Sequence, residues 1–75
     1  MNESQLNKFL QDIGKILANA RKEKGYSQED LAELTGIDRV AIGYIEQGRR
    51  KPTMTTVYKI ALALNVKLSK LFKNY

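Results

Sequence analysis

The block Gln28–Gln47, QEDLAELTGIDRVAIGYIEQ, decides the reading of this chain. Ala32, Gly36 and Ile42 stand at its fifth, ninth and fifteenth positions. A small side chain at Ala32 lets two helices approach closely. Gly36 takes a left-handed conformation without a Cβ penalty and so turns the chain. Ile42 then seats the second helix on the first. This is the spacing of a helix-turn-helix, in which the second helix is held where the major groove of DNA can receive it.

Working outward, the apolar spacing is helical throughout and nothing alternates as a strand. A first helix is predicted from about Ser4 to Lys24, burying Leu6, Leu10, Ile13, Leu17 and Ala20, with Gly25 as its stop. Ser27 caps the second helix, with Asp30 placed to complete a capping box. Leu31, Ala32 and Leu34 are its apolar positions, Thr35-Gly36-Ile37 is the turn, and Asp38 caps a third helix over Arg39–Gln47 that Gly48 ends. Arg49-Arg50-Lys51-Pro52 reads as a basic loop, and Thr53 as the next cap. A fourth helix uses Val57, Ile60, Ala61 and Leu64, with Asn65 as its left-handed terminator, and a short fifth carries Leu68, Leu71 and Phe72. The expected fold is all-α: a five-helix domain spanning residues 1–75, with no internal repeat and no linker.

Composition narrows the function. With 75 residues the chain is one small domain, 43% apolar, and without cysteine or histidine. Disulfide staples, thiol nucleophiles, imidazole bases and the usual zinc ligands are therefore excluded. No apolar run has the length of a signal-peptide core or a membrane span, so the expectation is a soluble, cytoplasmic protein with no membrane partner. The net charge is +5, and every acidic residue lies at or before Glu46. Beyond it stand only cations: Arg49, Arg50, Lys51, Lys59, Lys67, Lys70 and Lys73. Such an asymmetric field suits a polyanion, and equally describes a solvated basic surface.

The third helix has two faces. Ala41, Ile42 and Ile45 fall inward; Arg39, Val40, Gly43, Tyr44 and Gln47 fall outward at helical spacing. Arg39 opposes the helix dipole in the first turn, where stability alone prefers an acid. Its guanidinium can read guanine O6 and N7, or pair with Asp38 or another acid. Val40 either touches a thymine methyl or is shielded by the second helix. Gly43 allows close approach to DNA or relieves crowding between helices. Tyr44 reaches a base edge or a phosphate, or packs across the first helix. Gln28, at the amino end of the second helix, can add a donor to a phosphate site. With Gln47, Arg49, Arg50 and Lys51 it makes up the candidate backbone contacts, which set register without reading sequence.

Arg21-Lys-Glu-Lys-Gly25, Ser27-Gln-Glu-Asp-Leu-Ala32 and Ile42-Gly-Tyr-Ile-Glu-Gln-Gly48, in this order, resemble the lambda-repressor/Cro-like, or Xre-type, helix-turn-helix family. The resemblance covers roughly Ile13 to Phe72. The run IDRVAIGYIEQG is also similar to the controller proteins of restriction–modification systems. The resemblance implies that Gln28 contacts phosphate, that Arg39, Val40, Gly43 and Tyr44 face the groove, and that Arg21 and Glu46 form a structural ion pair. In lambda-type repressors acidic positions on the second helix touch RNA polymerase, and Glu29 and Glu33 occupy those places. The chain departs from the pattern at Ile16, Ala18 and Ala20, where relatives often carry Arg, Arg and Leu, and at Val40, which replaces a small polar residue.

The sequence thus points to a sequence-specific transcriptional regulator of double-stranded DNA, binding an inverted repeat as a homodimer because one short helix reads too few base pairs. The dimer surface is expected around Leu68, Leu71, Phe72 and Tyr75; alternatively Leu68, Leu71 and Phe72 close the monomer core. No cofactor, metal or catalytic group is called for. Two rivals belong to other classes. An antitoxin-like or adaptor module of the same fold would bind a protein, and a nucleic-acid enzyme would need a carboxylate cluster that the dispersed acids do not offer.

Overall fold

Helices start where the sequence provides a side chain to hold the first free N–H groups. A computed structural model describes residues 2–75 and contains α1 (Glu3–Glu23), α2 (Gln28–Thr35), α3 (Arg39–Glu46), α4 (Met54–Ala63) and α5 (Leu68–Leu71). Asn2 and Gln5 form a capping box at α1, and Ser27 and Asp30 form one at α2. Asp38 accepts from the N–H groups of Val40 and Ala41, and Thr53 from that of Thr56. The cap at Asn2 starts α1 slightly earlier than the apolar stripe alone suggests. No helix among the described residues is long and apolar enough to cross a membrane.

Left-handed residues end the helices. After α1, Gly25 has φ +75, and the N–H of Tyr26 donates to the carbonyl of Arg21 at 3.1 Å. Gly48 does the same after α3, with Arg49 N–H donating to Tyr44 C=O at 2.9 Å, and Asn65 after α4, with Val66 donating to Ala61 at 2.8 Å. In each case the bond runs five residues back, the Schellman closure, and fixes the direction in which the chain leaves.

The core holds Ile13, Leu17 and Ala20 of α1, Leu31 of α2, Ile42 and Ile45 of α3, Val57, Ile60, Ala61 and Leu64 at α4, and Leu71 of α5. Ala32 is packed against it, whereas Leu34, expected among the apolar positions of α2, is exposed. Leu34 belongs to the last turn of α2, facing away from α3 and α4, so nothing covers it.

Among the described residues Arg21 is the one buried charged residue. Its Nε and Nη2 donate to the two Glu46 carboxylate oxygens at 2.7 and 3.0 Å, and its Nη1 to the Tyr26 carbonyl at 2.7 Å. The hydrogen bonds to Glu46, outweighing the cost of burial, hold the guanidinium above its ordinary pKa. Two glycines make this close approach possible. A Cβ on Gly14 would lie 2.5 Å from the carbonyl oxygens of Ile45 and Glu46, and one on Gly48 would lie 2.8 Å from Gln11 Cα.

At the far end of α1 the chain's last residues fold back. Phe9 stacks on Phe72 and meets the Tyr75 ring edge-on at 4.7 Å. The Tyr75 hydroxyl donates to Asp12 Oδ2 at 2.5 Å, and Lys8 donates to the same oxygen at 3.0 Å. The hydroxyl first, then Lys8, hold the Asp12 carboxyl below its ordinary pKa.

Three outcomes follow from this packing. Glu46→Ala leaves a buried guanidinium uncompensated and should cost about 3–5 kcal/mol, read as a large fall in thermal midpoint. Gly14→Ala should lower stability by about 1–3 kcal/mol through backbone displacement, although alanine is the better helix former by about 1 kcal/mol. A melt of Gly14→Ala at or above the parent's would show that α3 yields freely. Because Asp12 titrates below its unfolded value, its contribution is complete above the ordinary carboxylate range and lost as pH falls through the depressed value. In Tyr75→Phe, an NMR titration of the Asp12 carboxyl should show its midpoint moving back up.

Candidate nucleic-acid interface

Helix α3 is seated by Ile42, with no exposed surface, and Ile45, and this fixes which residues are left outside. Arg39, Val40 and Gln47 are exposed, while Gly43 and Tyr44 are half-buried. The five outward positions expected from helical spacing therefore share one side of α3, continued by the exposed Arg49, Arg50 and Lys51.

Arg39 points its Nε toward Glu29 Oε1 at 3.9 Å, with both side chains more than half exposed. That separation exceeds hydrogen-bond reach, and exposed pairs of this kind contribute about 0–1 kcal/mol. The pair with Asp38 does not form, since that carboxylate is used in capping α3. Arg39 is thus steered by a neighbouring acid but not held by it. Val40 is half exposed, unshielded by α2, and adds an apolar contact beside the guanidinium.

Gly43 faces Gln28: a Cβ there would meet the Gln28 amide at 3.6 Å, an ordinary contact. Gln28 in turn donates through Nε2 to Glu46 Oε1 at 3.0 Å. The carboxylate that receives Arg21 therefore also orients the glutamine at the start of α2. One Gln28 donor is engaged within the protein; its other N–H and its backbone stay at the helix end where phosphate binds most readily.

Tyr44 is half-buried. Its ring carries the Arg49 and Arg50 guanidinium carbons at 5.3 and 5.2 Å from its centroid. The reason is the chain reversal at Gly48, whose hydrogen bond from Arg49 N–H to the Tyr44 carbonyl turns the loop back over this ring. Arg49 also donates to Gln47 Oε1 at 3.4 Å. Two cations are thereby collected around one aromatic ring, an arrangement worth about 0.5–1 kcal/mol for each exposed pair. Sequence spacing singled out Tyr44 but missed this role, because the pairing depends on the path of the loop. An aromatic four residues before a left-handed glycine that is followed by two arginines was the available signal.

The expected dimer residues are distributed differently. Leu71 is 1% exposed and belongs to the monomer core, so it cannot form an interface; Leu68 and Phe72 pack against that core. Tyr75 is 57% exposed but is bound to Asp12 and Phe9. These positions close the monomer because α5 folds back onto α1. The acids Glu29 and Glu33 are exposed on α2.

This geometry has known counterparts. A helix-turn-helix family model matches residues 17–71. The chain belongs to the helix-turn-helix family. The control protein C.SmaI of Serratia marcescens is 41% identical over 64 residues, covering 80% of this chain and 76% of that protein. The regulator SutR of Escherichia coli is 42% identical over 57 residues, 76% of this chain, which spans only 32% of SutR. Among solved structures, the restriction–modification controller C.AhdI of Aeromonas hydrophila superposes with a TM-score of 0.78 at 40% identity, covering 84% of this chain and 96% of that one. The controller C.Esp1396I, solved as a tetramer on its natural 35-base-pair operator, superposes with a TM-score of 0.77 at 32% identity, covering 88% and 87%. Members of the helix-turn-helix family similar to this chain are thus transcriptional regulators and controller proteins, and the all-α fold is theirs. The buried Arg21–Glu46 pair stands where the lambda-like resemblance implied it.

If Tyr44 collects the two arginines, Tyr44→Ala should weaken binding to all duplexes alike, by about 1–2 kcal/mol. A shift in base preference with unchanged affinity for random-sequence DNA would instead make Tyr44 a base reader.

Proposed function

We propose that this protein is a sequence-specific DNA-binding transcriptional regulator that places α3 in the major groove and acts as a homodimer on an inverted repeat. The carrying observation is the outward row Arg39–Val40–Gly43–Tyr44, continuous with the basic loop Arg49–Lys51 on a helix-turn-helix framework. In this reading Arg39 is the base reader, Val40 meets a thymine methyl, and Gly43 and Tyr44 line the groove. Gln28, Gln47, Arg49, Arg50 and Lys51 hold the phosphates. The operator-bound tetramer of C.Esp1396I supports an assembled, operator-binding form. Residues 1–75 act as one DNA-binding domain in the cytoplasm, associated with the nucleoid.

The mechanism needs no covalent chemistry. A bound dimer occludes a promoter, or recruits polymerase from an upstream site. Glu29 and Glu33, exposed on α2, supply an acidic surface for RNA polymerase in the second case. Reporter activation that survives Glu29→Lys with DNA binding intact would remove that role.

Selection of bound duplexes from a random library, at near-physiological salt with competitor, tests the whole reading. An inverted repeat should emerge, with half-sites about one helical turn apart. Arg39→Ala should lose preference at a single base position of each half-site, costing about 1–3 kcal/mol there. Arg50→Ala should weaken binding across sequences and lower the salt slope by about 1. Absence of any enriched sequence would overturn the reading and direct the search to a protein partner.

A further inference from the structure

The exposed cations of this chain fall into two chemically different groups. Arg39, Arg49 and Arg50 stand on α3 and the loop that follows it, whereas beyond Lys51 every charged residue is a lysine. Lys67, Lys70 and Lys73 recur every third residue through α5 and the turns that flank it. The reversal at Asn65, closed by Val66 N–H donating to the Ala61 carbonyl, lays this segment beside the end of α1, where Lys24 joins it.

These four lysines, all exposed, surround a cleft of about 710 Å³. Its floor is apolar, from the buried Ala20 and Leu64 and the half-buried Val66. A single carboxylate, Glu23, shares the lining. Among the described residues the ion pairs are Lys8–Asp12, Arg21–Glu46 and Arg39–Glu29, so none of the four ammonium groups has a carboxylate partner. Like charges gathered in this way repel one another, and stability alone would intersperse acids, as α1 does with Lys8 and Asp12.

We propose that this cleft is a docking site for an acidic segment of another protein, one that carries an apolar side chain among its carboxylates. Charge complementarity selects an anionic partner. The floor selects a protein segment over a phosphate backbone. Phosphates riding on the lysines leave Leu64 and Val66 uncovered, whereas a leucine or phenylalanine set between carboxylates covers them. The choice of lysine points the same way. The planar fork of arginine is the group that holds phosphate bidentately, and all three exposed arginines of this chain lie on the α3 side.

The cleft takes none of its lining from α2, α3 or the Arg49–Lys51 loop. A partner held there leaves the outward row of α3 open, so the inference goes beyond the DNA-binding reading and stands or falls independently of it.

An NMR titration of the full chain with a synthetic acidic peptide carrying a leucine at each helical turn tests this. Two comparison probes are the same peptide with serine in place of leucine, and a random-sequence duplex. The leucine peptide should shift the amide signals of Leu64, Val66, Lys67 and Lys70 saturably, and bind roughly tenfold or more tightly than the serine version. Lys70→Glu combined with Lys73→Glu should weaken the peptide roughly tenfold or more, and Lys70→Gln combined with Lys73→Gln by less. Both variants should melt like the parent, since these lysines are exposed, and should change duplex binding far less than peptide binding. Absence of a saturable shift at the cleft, shifts centred on α3 and its basic loop, or equal affinity for the serine peptide would overturn the proposal. Duplex that moves the cleft signals in place of those of α3 would overturn it as well, and assign the lysines to the nucleic-acid surface.

Discussion

The Arg21–Glu46 ion pair is the interaction on which the arrangement depends. It joins the end of α1 to the end of α3, and it is nearly dry: the side chains are 10% and 7% exposed. A charge in that setting persists only when its hydrogen-bonding capacity is met. Here the guanidinium meets both carboxylate oxygens and a loop carbonyl, and the same carboxylate takes the Gln28 amide. Among the described residues no buried side-chain polar atom lacks a partner. The pair therefore sets α3 against α1 and α2 together, so that the outward row of α3 is carried on a fixed support rather than on a loop.

Backbone proximity makes the pair possible. Gly14 lies mid-helix, where glycine weakens α1 by about 1 kcal/mol relative to alanine. The loss is offset because the last carbonyls of α3 rest where a Cβ would be. Gly48 serves twice, reversing the chain after α3 and letting it pass over Gln11. From that reversal come the path of the basic loop and the two guanidinium groups gathered on Tyr44. Stability and charge placement thus share one structural element: the turn that ends α3 also positions the cations beside it.

The outward face of α3 combines fixed and adjustable parts. Val40 and Gly43 are set by the helix itself. Arg39 is free to swing, attracted by Glu29 across a gap too long for a hydrogen bond. Arg49 and Arg50 are only lightly restrained by an aromatic ring. This suits the function proposed above, in which weak internal contacts would be exchanged for bases and phosphates with nothing strong broken.

The order of helices, their caps and their left-handed stops were determined by the sequence alone, because they depend on local chemistry. Ser27 with Asp30, Asp38 ahead of α3, and Gly25, Gly36, Gly48 and Asn65 each act within a few residues of themselves. The two faces of α3 were legible for the same reason, since helical period fixes which side chains point together. Pairings between distant segments were decided only by tertiary structure. Gly14 reads as a flaw in α1 until α3 is laid on it, and Leu34 reads as core until its turn is seen to face away. Whether Leu71 faced a partner or the core was settled only when α5 was seen to bury it. Helix α4 carried apolar residues around too much of its circumference for one core, a signal already in the sequence. Which of its faces the core would take, and which would stay open, depended on where the other four helices pack.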